Sequence, residues 1–263
     1  NLQRRIENPG ADASFVSIDS FTKRVNLPDY DIIFVDVGQG DCVHIKAGGK
    51  NILIDGGGAA EYNVGKNKLK PYLLKNGVSK VDAAIATHRH TDHYKGLTEL
   101  SECMKTGEIY TEMTRGKTLR ISEDVYIETV WPLTLPEGST QDENKDCSVF
   151  LIHYGRYKVL ITGDLDKEGE RALIKHYAGT DTLKADILKI GHHGSRTSTS
   201  PEFLSAVSPD AAVIQVGRNN YGHPSEETLK TLDAFGCVMF RNDTDGAVGI
   251  SFDKKKIRIH TNF

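Results

Sequence analysis

Short apolar and β-branched runs separated by glycine turns begin at Tyr30. Residues 32–37, 42–45 and 51–54 form three such runs, with glycine at positions 38, 40, 48 and 49 between them, and predict a β-meander. Residues 66–76 place Leu69, Tyr72 and Leu73 at helical spacing and close on Gly77, which predicts a helix feeding the buried strand of residues 81–86. The second half repeats the theme: strands at 119–121, 125–130, 149–154 and 157–162 lead to a helix over 167–177. Beyond it a strand at 185–190, a helix at 201–207, a strand at 211–216, a helix at 225–235 and strands at 238–241, 247–252 and 256–260 complete the pattern. Two sheet-forming halves, each ending in helices, predict two sheets packed face to face with helices outside and no linker between the halves.

Residues 1–28 mix Pro, Asp, Ser and Arg without sustained periodicity and read as a lead-in segment or one short helix, leaving residues 29–263 as the folded domain. The segment lacks an initiator Met and an apolar leader core, so the chain reads as processed or excised from something longer. With 38% hydrophobic and 26% charged residues in 263, the composition is globular and excludes disordered and fibrous classes. The apolar stretches run to about four residues, against the roughly 20 a membrane span requires. The four cysteines contain no CxxC pair, which argues against a thiolate zinc finger and a dense disulfide framework. A net charge of −3 leaves no global nucleic-acid footprint. The local basic stretches at Lys66, Lys68, Lys70 and at Arg115, Lys117, Arg120 read as solvated faces.

The strongest chemical signal is Thr87-His88-Arg89-His90-Thr91-Asp92-His93, immediately after the apolar strand at 81–86. A tight turn there can aim His88 and His90 at one metal ion and Asp92 with His93 at another. Imidazole nitrogens and carboxylate oxygens, with no cysteine, suit Zn, Mn or Fe.

His88-x-His90-x-Asp92-His93 after a buried strand resembles the HxHxDH motif of the metallo-β-lactamase superfamily. Ile52-Leu53-Ile54-Asp55-Gly56-Gly57, Leu160-Ile161-Thr162-Gly163-Asp164 and His192-His193-Gly194-Ser195 resemble its other motifs in order and spacing. The resemblance implies an αββα sandwich of α/β class, with two mixed sheets and helices on the outer faces. Within the superfamily, Val35-Asp36-Val37-Gly38-Gln39-Gly40-Asp41, the residues from Leu188 to Ser198 and Asn220-Tyr221-Gly222-His223-Pro224 resemble the extracellular hydrolase domain of ComEC-type competence proteins, which take up DNA. Two positions depart from pattern. The stretch 142–148 carries no histidine where superfamily members often supply a third ligand to the first metal, and His90 stands where ComEC domains commonly have Asp. His153, mid-strand between Ile152 and Tyr154, reads as an ordinary surface or packed histidine.

What the resemblance implies is a hydrolase with two divalent ions, Zn or Mn, the first site being the weaker. His88, His90 and Asp164 would hold the first ion; Asp92, His93 and Asp164, with one of His192 and His193, the second. Successive strand residues point to opposite faces, so one histidine of that pair ligates and the other packs, with His192 the slight favourite. A water between two cations becomes the nucleophile toward phosphorus. Asp92, Asp164 and His223 are the expected catalytic residues, with His223 donating a proton to the leaving oxygen. Ser195, Arg196 and Asn219 are expected at the substrate phosphate, and Asp36, Gln39 and Asp55 behind the ligands. Lys189 is expected to snorkel out of its apolar strand, and Cys147 and Trp131 to pack.

The implied activity is a DNase of the ComEC kind, at the outer face of the cytoplasmic membrane, with a membrane channel domain of the same or another chain as partner. The alternatives are a small-molecule phosphodiesterase of the phosphorylcholine-esterase type, and a non-catalytic domain that binds nucleic acid or a wall polymer. A cytoplasmic location is not excluded by the sequence.

Overall fold

The computed structural model describes residues 15–18 in backbone alone, and residues 30–134 and 144–261 with their side chains. Of the expected lead-in segment, residues 1–14 and 19–28 lie outside the described residues. Phe15–Ile18 (β1) is a strand pairing parallel with the last one, so this part of the segment adds to a sheet edge and is not helical.

The first half runs β2 (Ile32–Phe34), β3 (Val43–Ala47), β4 (Lys50–Ile54), a π turn at Gly65–Leu69, α1 (Lys70–Lys75), β5 (Lys80–Ile85), α2 (Thr91–Ser101) and β6 (Lys105–Tyr110). The second runs β7 (Thr118–Arg120), β8 (Val125–Trp131), β9 (Val149–Tyr154), β10 (Tyr157–Ile161), α3 (Lys167–His176), β11 (Ile187–Lys189), a 3-10 turn at Gly191–Gly194, α4 (Pro201–Val207), β12 (Ala211–Ile214), α5 (Glu226–Phe235), β13 (Val238–Arg241), α6 (Asn242–Asp245), β14 (Val248–Phe252) and β15 (Lys256–Thr261). One sheet has the order β1-β15-β14-β2-β3-β4-β5-β6, and the other β13-β12-β11-β10-β9-β8-β7. Both mix parallel and antiparallel pairs.

The inner strands are apolar on both faces because both are covered. Along β10, Val159 and Ile161 enter the core between the sheets, while Leu160 packs with Leu173 of α3 and Phe203 of α4. Along β4, Ile52 and Ile54 face the inter-sheet core, whereas Leu53 packs with Leu73 of α1 and Leu97 of α2. These three apolar layers make the expected αββα sandwich.

Besides β1 and the short α6, the elements α2 and β6 lie outside the expected pattern. The buried stripe of α2 comprises His93, Gly96, Leu97, Glu99 and Leu100, so polar and glycine positions break its apolar period. The glycine is required: a Cβ on Gly96 would come within 2.0 Å of the Gly56 carbonyl oxygen. β6 is an edge strand with Lys105, Gly107 and Glu108 exposed, so it lacks apolar alternation. The helix expected over 66–76 divides into the π turn and α1.

β4 and β5 are parallel neighbours, as are β10, β11 and β12. Their carboxyl ends therefore open on one edge of the sandwich, the usual location of ligands in such sheets. Each motif histidine and aspartate follows one of these strand ends.

Candidate active site

Asp55, directly after β4, organises the base of the site. Its carboxylate accepts hydrogen bonds from the Thr87 backbone N–H (2.7 Å), the Thr87 hydroxyl (2.8 Å) and His93 Nδ1 (2.9 Å). The HxHxDH segment is thereby pinned at both ends. Its first half is the loop after β5, and Asp92 and His93 sit in the first turn of α2. With Nδ1 committed to Asp55, His93 directs Nε2 at Asp164 Oδ1, 3.1 Å away.

Asp164 is buried at the centre. The preceding Gly163 has φ 50°, and a Cβ there would meet the Thr87 side chain at 2.8 Å, so the turn needs glycine. Asp164 Oδ2 lies 3.9 Å from His88 Nε2 and 3.7 Å from His192 Nε2, while Oδ1 faces His93 and, at 3.6 Å, His193 Nε2. Candidate ligand atoms gather into a His88, His90, Asp164 group and an Asp92, His93, His193 group, each with its atoms within 4.8 Å of one another.

The adjacent histidines part. Both adopt left-handed backbone, with φ 48° at His192 and 53° at His193, so they are not alternating strand residues. His193 is buried; its Nδ1 donates to the Gln215 carbonyl (2.9 Å) and its Nε2 lies 3.2 Å from Asp92 Oδ2. Fixing the proton on Nδ1 leaves Nε2 as the coordinating atom. His193, not the favoured His192, thus joins the second group. His192 sits partly exposed on the rim, its Nδ1 3.3 Å from Asn144 Nδ2. Asn144 belongs to the stretch without a histidine; residues 142 and 143 lie outside the described residues.

Two buried residues lie behind the candidate ligands: Asp41, in a glycine turn that the sequence allows as the pocket floor, and Lys189, not expected there. Asp41, at the end of the glycine-rich Gly38-Gln39-Gly40 turn, faces His193 Nδ1 at 3.2 Å and His93 Nδ1 at 3.6 Å. It forms an ion pair with Lys189, which also donates to the Gly163 carbonyl (3.0 Å). Lys189 is fully buried and does not snorkel, because β11 lies mid-sheet under helices on one face and the other sheet on the other. Asp41 also forms, with His93 and Asp164, a third candidate ligand group. The signal for Asp41 and Lys189 was present: a carboxylate closing a glycine turn and a lone cation within an apolar strand.

Electrostatics follow from this packing. Burial penalises charge on His93, yet Asp164, Asp55 and Asp41 together raise its pKa well above the ordinary imidazole value. His193, opposed by burial and favoured by Asp164 and Asp41, is pushed up to about 10. Burial raises the Asp164 pKa, but His93 and His193 outweigh it and hold the carboxyl well below its usual range.

The other expected positions divide. The His223 ring is 5.6 Å from that of His192, and its Nδ1 is buried without a hydrogen-bond partner among the described residues. Arg196 is exposed on the rim. Ser195, expected at substrate, is buried, and its hydroxyl bonds Thr197 Oγ1 at 3.0 Å. Asn219, also expected there, spends its amide on its own loop, donating to the Gly217 and His223 carbonyls (2.9 and 2.8 Å). Asp36 is exposed and closes the turn at Gly38 N (3.0 Å), whereas Gln39 accepts from Gly217 N (3.3 Å); neither reaches the ligands as Asp55 does. His153 pairs with Glu128 (3.1 Å) and stacks on Tyr126, as a packed histidine should. Cys147 is buried, and Trp131 packs with its indole N–H on the Lys145 carbonyl (2.8 Å).

The donor set fits divalent cations. His88 Nε2, His93 Nε2 and Asp164 Oδ1 are buried with no hydrogen bond of acceptable geometry among the described residues, at the point where both groups converge. Nitrogen and carboxylate donors without thiolate suit Zn, Mn or Fe.

The sequence model of the metallo-beta-lactamase superfamily matches residues 35–112 and 136–218, more than half of the chain. The chain belongs to that superfamily. Members of this fold bind divalent metals, often two, and are generally hydrolases. The chain is also similar to competence proteins: ComE operon protein 3 of Bacillus subtilis (strain 168), 29% identical over 83% of this chain and 32% of that protein, and competence protein ComA of Neisseria gonorrhoeae, 33% identical over 81% and 31%. Recombination protein 2 of Haemophilus influenzae is 28% identical over 90% and 31%. The chain spans about a third of the length of these relatives. Among solved structures, the Bacillus subtilis metallo-beta-lactamase fold protein YhfI shares the fold with a TM-score of 0.52 at 14% identity, covering 80% of this chain and 95% of that one. CmlA, a diiron beta-hydroxylase from Streptomyces venezuelae, does so with 0.54 at 15%, covering 82% and 53%.

Proposed function

We propose that this metallo-beta-lactamase domain is a metal-dependent phosphodiester hydrolase that cuts DNA, and that it works beside a DNA-uptake channel at the outer face of a membrane. The observation that carries the reading is the convergence of two histidine and aspartate groups on the two oxygens of Asp164. Similarity to competence proteins supplies the substrate class. No helix among the described residues is long and apolar enough to cross a membrane, so the channel would lie elsewhere.

His88, His90 and Asp164 would hold one ion, and Asp92, His93, His193 and Asp164 the other. The bound ions, Zn or Mn, would supply Lewis acidity that lowers the proton affinity of water and offsets phosphoryl charge. Asp55 and the Gln215 carbonyl fix the Nδ1 protons of His93 and His193, which keeps both Nε2 atoms available. His223, whose ring lies 5.6 Å from that of His192, would protonate a leaving oxygen. Arg196, exposed on the same rim, supplies positive charge for a phosphate.

The test is hydrolysis of bis(p-nitrophenyl) phosphate and of linear single- and double-stranded DNA by chelator-stripped protein, with Mn²⁺, Zn²⁺ or Mg²⁺ restored one at a time. Metal-restored DNA cleavage is expected. Cleavage of the small diester alone would replace DNA by a small-molecule substrate, and inactivity with every metal would overturn the hydrolase reading in favour of a binding domain.

A further inference from the structure

Tyr221 is the most exposed of the large apolar side chains among the described residues, at 76%, and it lies on the rim of the site. Its ring stacks on His223 with centroids 5.9 Å apart and 29° between planes. His223 in turn packs edge-on against His192, whose Nε2 is 3.7 Å from Asp164. The imidazole flanks the phenol ring, most of which stays open to solvent, two ring contacts from the central carboxylate.

The loop that carries Tyr221 is built to hold it there. Asn219 Oδ1 accepts from the backbone N–H of Tyr221 (3.0 Å) and of His223 (3.1 Å), while its amide donates to the carbonyls of Gly217 and His223. Gly217 anchors the loop base: a Cβ there would fall 2.3 Å from Gly38 C, so the chain can approach only as glycine. A loop backbone ordered by four hydrogen bonds loses little further freedom when its exposed ring meets a flat partner.

Charge around the ring selects the partner. Arg218 in the same loop and Arg196 in the loop after His193 are exposed, and neither forms an ion pair with another described residue. At the start of α5, Glu227 pairs with Lys167 (3.2 Å) and Glu226 with Lys230 (2.8 Å). A cationic headgroup would be repelled by the two arginines. A ligand that is flat, aromatic and anionic is favoured, which describes a nucleotide whose base is unpaired.

We propose that Tyr221, with Arg218 and Arg196, forms a base-stacking subsite that takes one unpaired nucleotide of a single strand beside the metal groups. This rests on the phosphodiesterase reading and narrows its substrate to single-stranded nucleic acid, because a base within a duplex has no free face to offer.

Fluorescence anisotropy of metal-loaded protein with labelled phosphorothioate oligothymidylate, which resists cleavage, tests it. The same backbone without bases and a blunt duplex serve as comparisons. Tyr221→Ala should weaken binding of the oligothymidylate about five-fold or more, leave binding of the abasic strand unchanged, and Tyr221→Trp should restore the loss. Equal loss on the abasic strand, no loss at all, failure of Tyr221→Trp to restore binding, or tighter binding of the duplex by the unaltered protein would each overturn the subsite. Hydrolysis of bis(p-nitrophenyl) phosphate by unaltered protein separates the two readings. Hydrolysis without base-dependent binding removes only the subsite, whereas base-dependent binding without hydrolysis removes the diesterase reading.

Discussion

Lys189 and Asp41 form an ion pair closed to water, directly behind the histidines of the candidate metal site. The pair joins two motifs nearly 150 positions apart, since Lys189 also holds the Gly163 carbonyl beside Asp164. Removing one partner strands the other's charge, at a cost of roughly 3–5 kcal/mol. Lys189→Met is therefore expected to lower the urea midpoint sharply, and adding Asp41→Asn to recover most of the loss. A single variant as stable as the unaltered protein would show that the pair contributes nothing.

Asp92→Ala and Asp164→Ala each remove a carboxylate on which candidate ligands converge. Either should abolish metal-dependent hydrolysis while the circular dichroism spectrum stays native. Residual activity near that of the unaltered protein in either variant would sink the two-ion arrangement.

Asp55 touches the candidate metal groups only through Thr87 and His93. Asp55→Asn should weaken metal affinity by about 10- to 100-fold, read by competition with a chromophoric chelator. Unchanged affinity would mean that the His93 orientation is set elsewhere.

His193 and His192 are adjacent in sequence but differ in setting, one buried against Asp92 and Gln215 and the other on the rim. The same titration should show His193→Ala losing far more affinity for the second ion than His192→Ala. The reverse order would return the ligand role to His192.

His44 carries a pH dependence remote from the candidate metal site. It is buried, accepts from the Tyr72 hydroxyl (2.9 Å), and donates from Nε2 to Asn51 (3.1 Å) as the neutral ring. Burial lowers its pKa to about 4, from 6.5 in the unfolded chain. Between these values the unfolded chain takes up a proton that the native state refuses. Stability is thus lost as pH falls from about 6.5 to about 4, by roughly 3 kcal/mol from this group. Urea melts across that range should show a shallower decline for His44→Gln, and parallel curves would rule this contribution out.

The inner strands of the two sheets were legible because they are apolar on both faces, and a continuous apolar run needs no knowledge of its neighbours; the edge strand β6 has no such run. The candidate ligands were legible because four histidines and two aspartates, His88, His90, Asp92, His93, Asp164 and His193, fall in short strings at strand ends. α2 was not, since its buried face includes His93, which serves the site, Gly96, which lets Gly56 approach, and Glu99, which accepts from the Gly65 N–H.

By itself the sequence determined the residue types, the strand runs and the family likeness, all of which are local or additive along the chain. Only the tertiary structure set His193 into a candidate ligand group and His192 on the rim, because left-handed backbone at both removed the alternation on which a strand argument depends. It also decided that Asp41 and Lys189 belong behind the ligands, that Ser195 and Asn219 serve their own loops, and that Tyr221 stands open beside His223. Those outcomes rest on which strand ends meet on one edge of the sandwich, and that juxtaposition is set by packing between residues far apart in sequence.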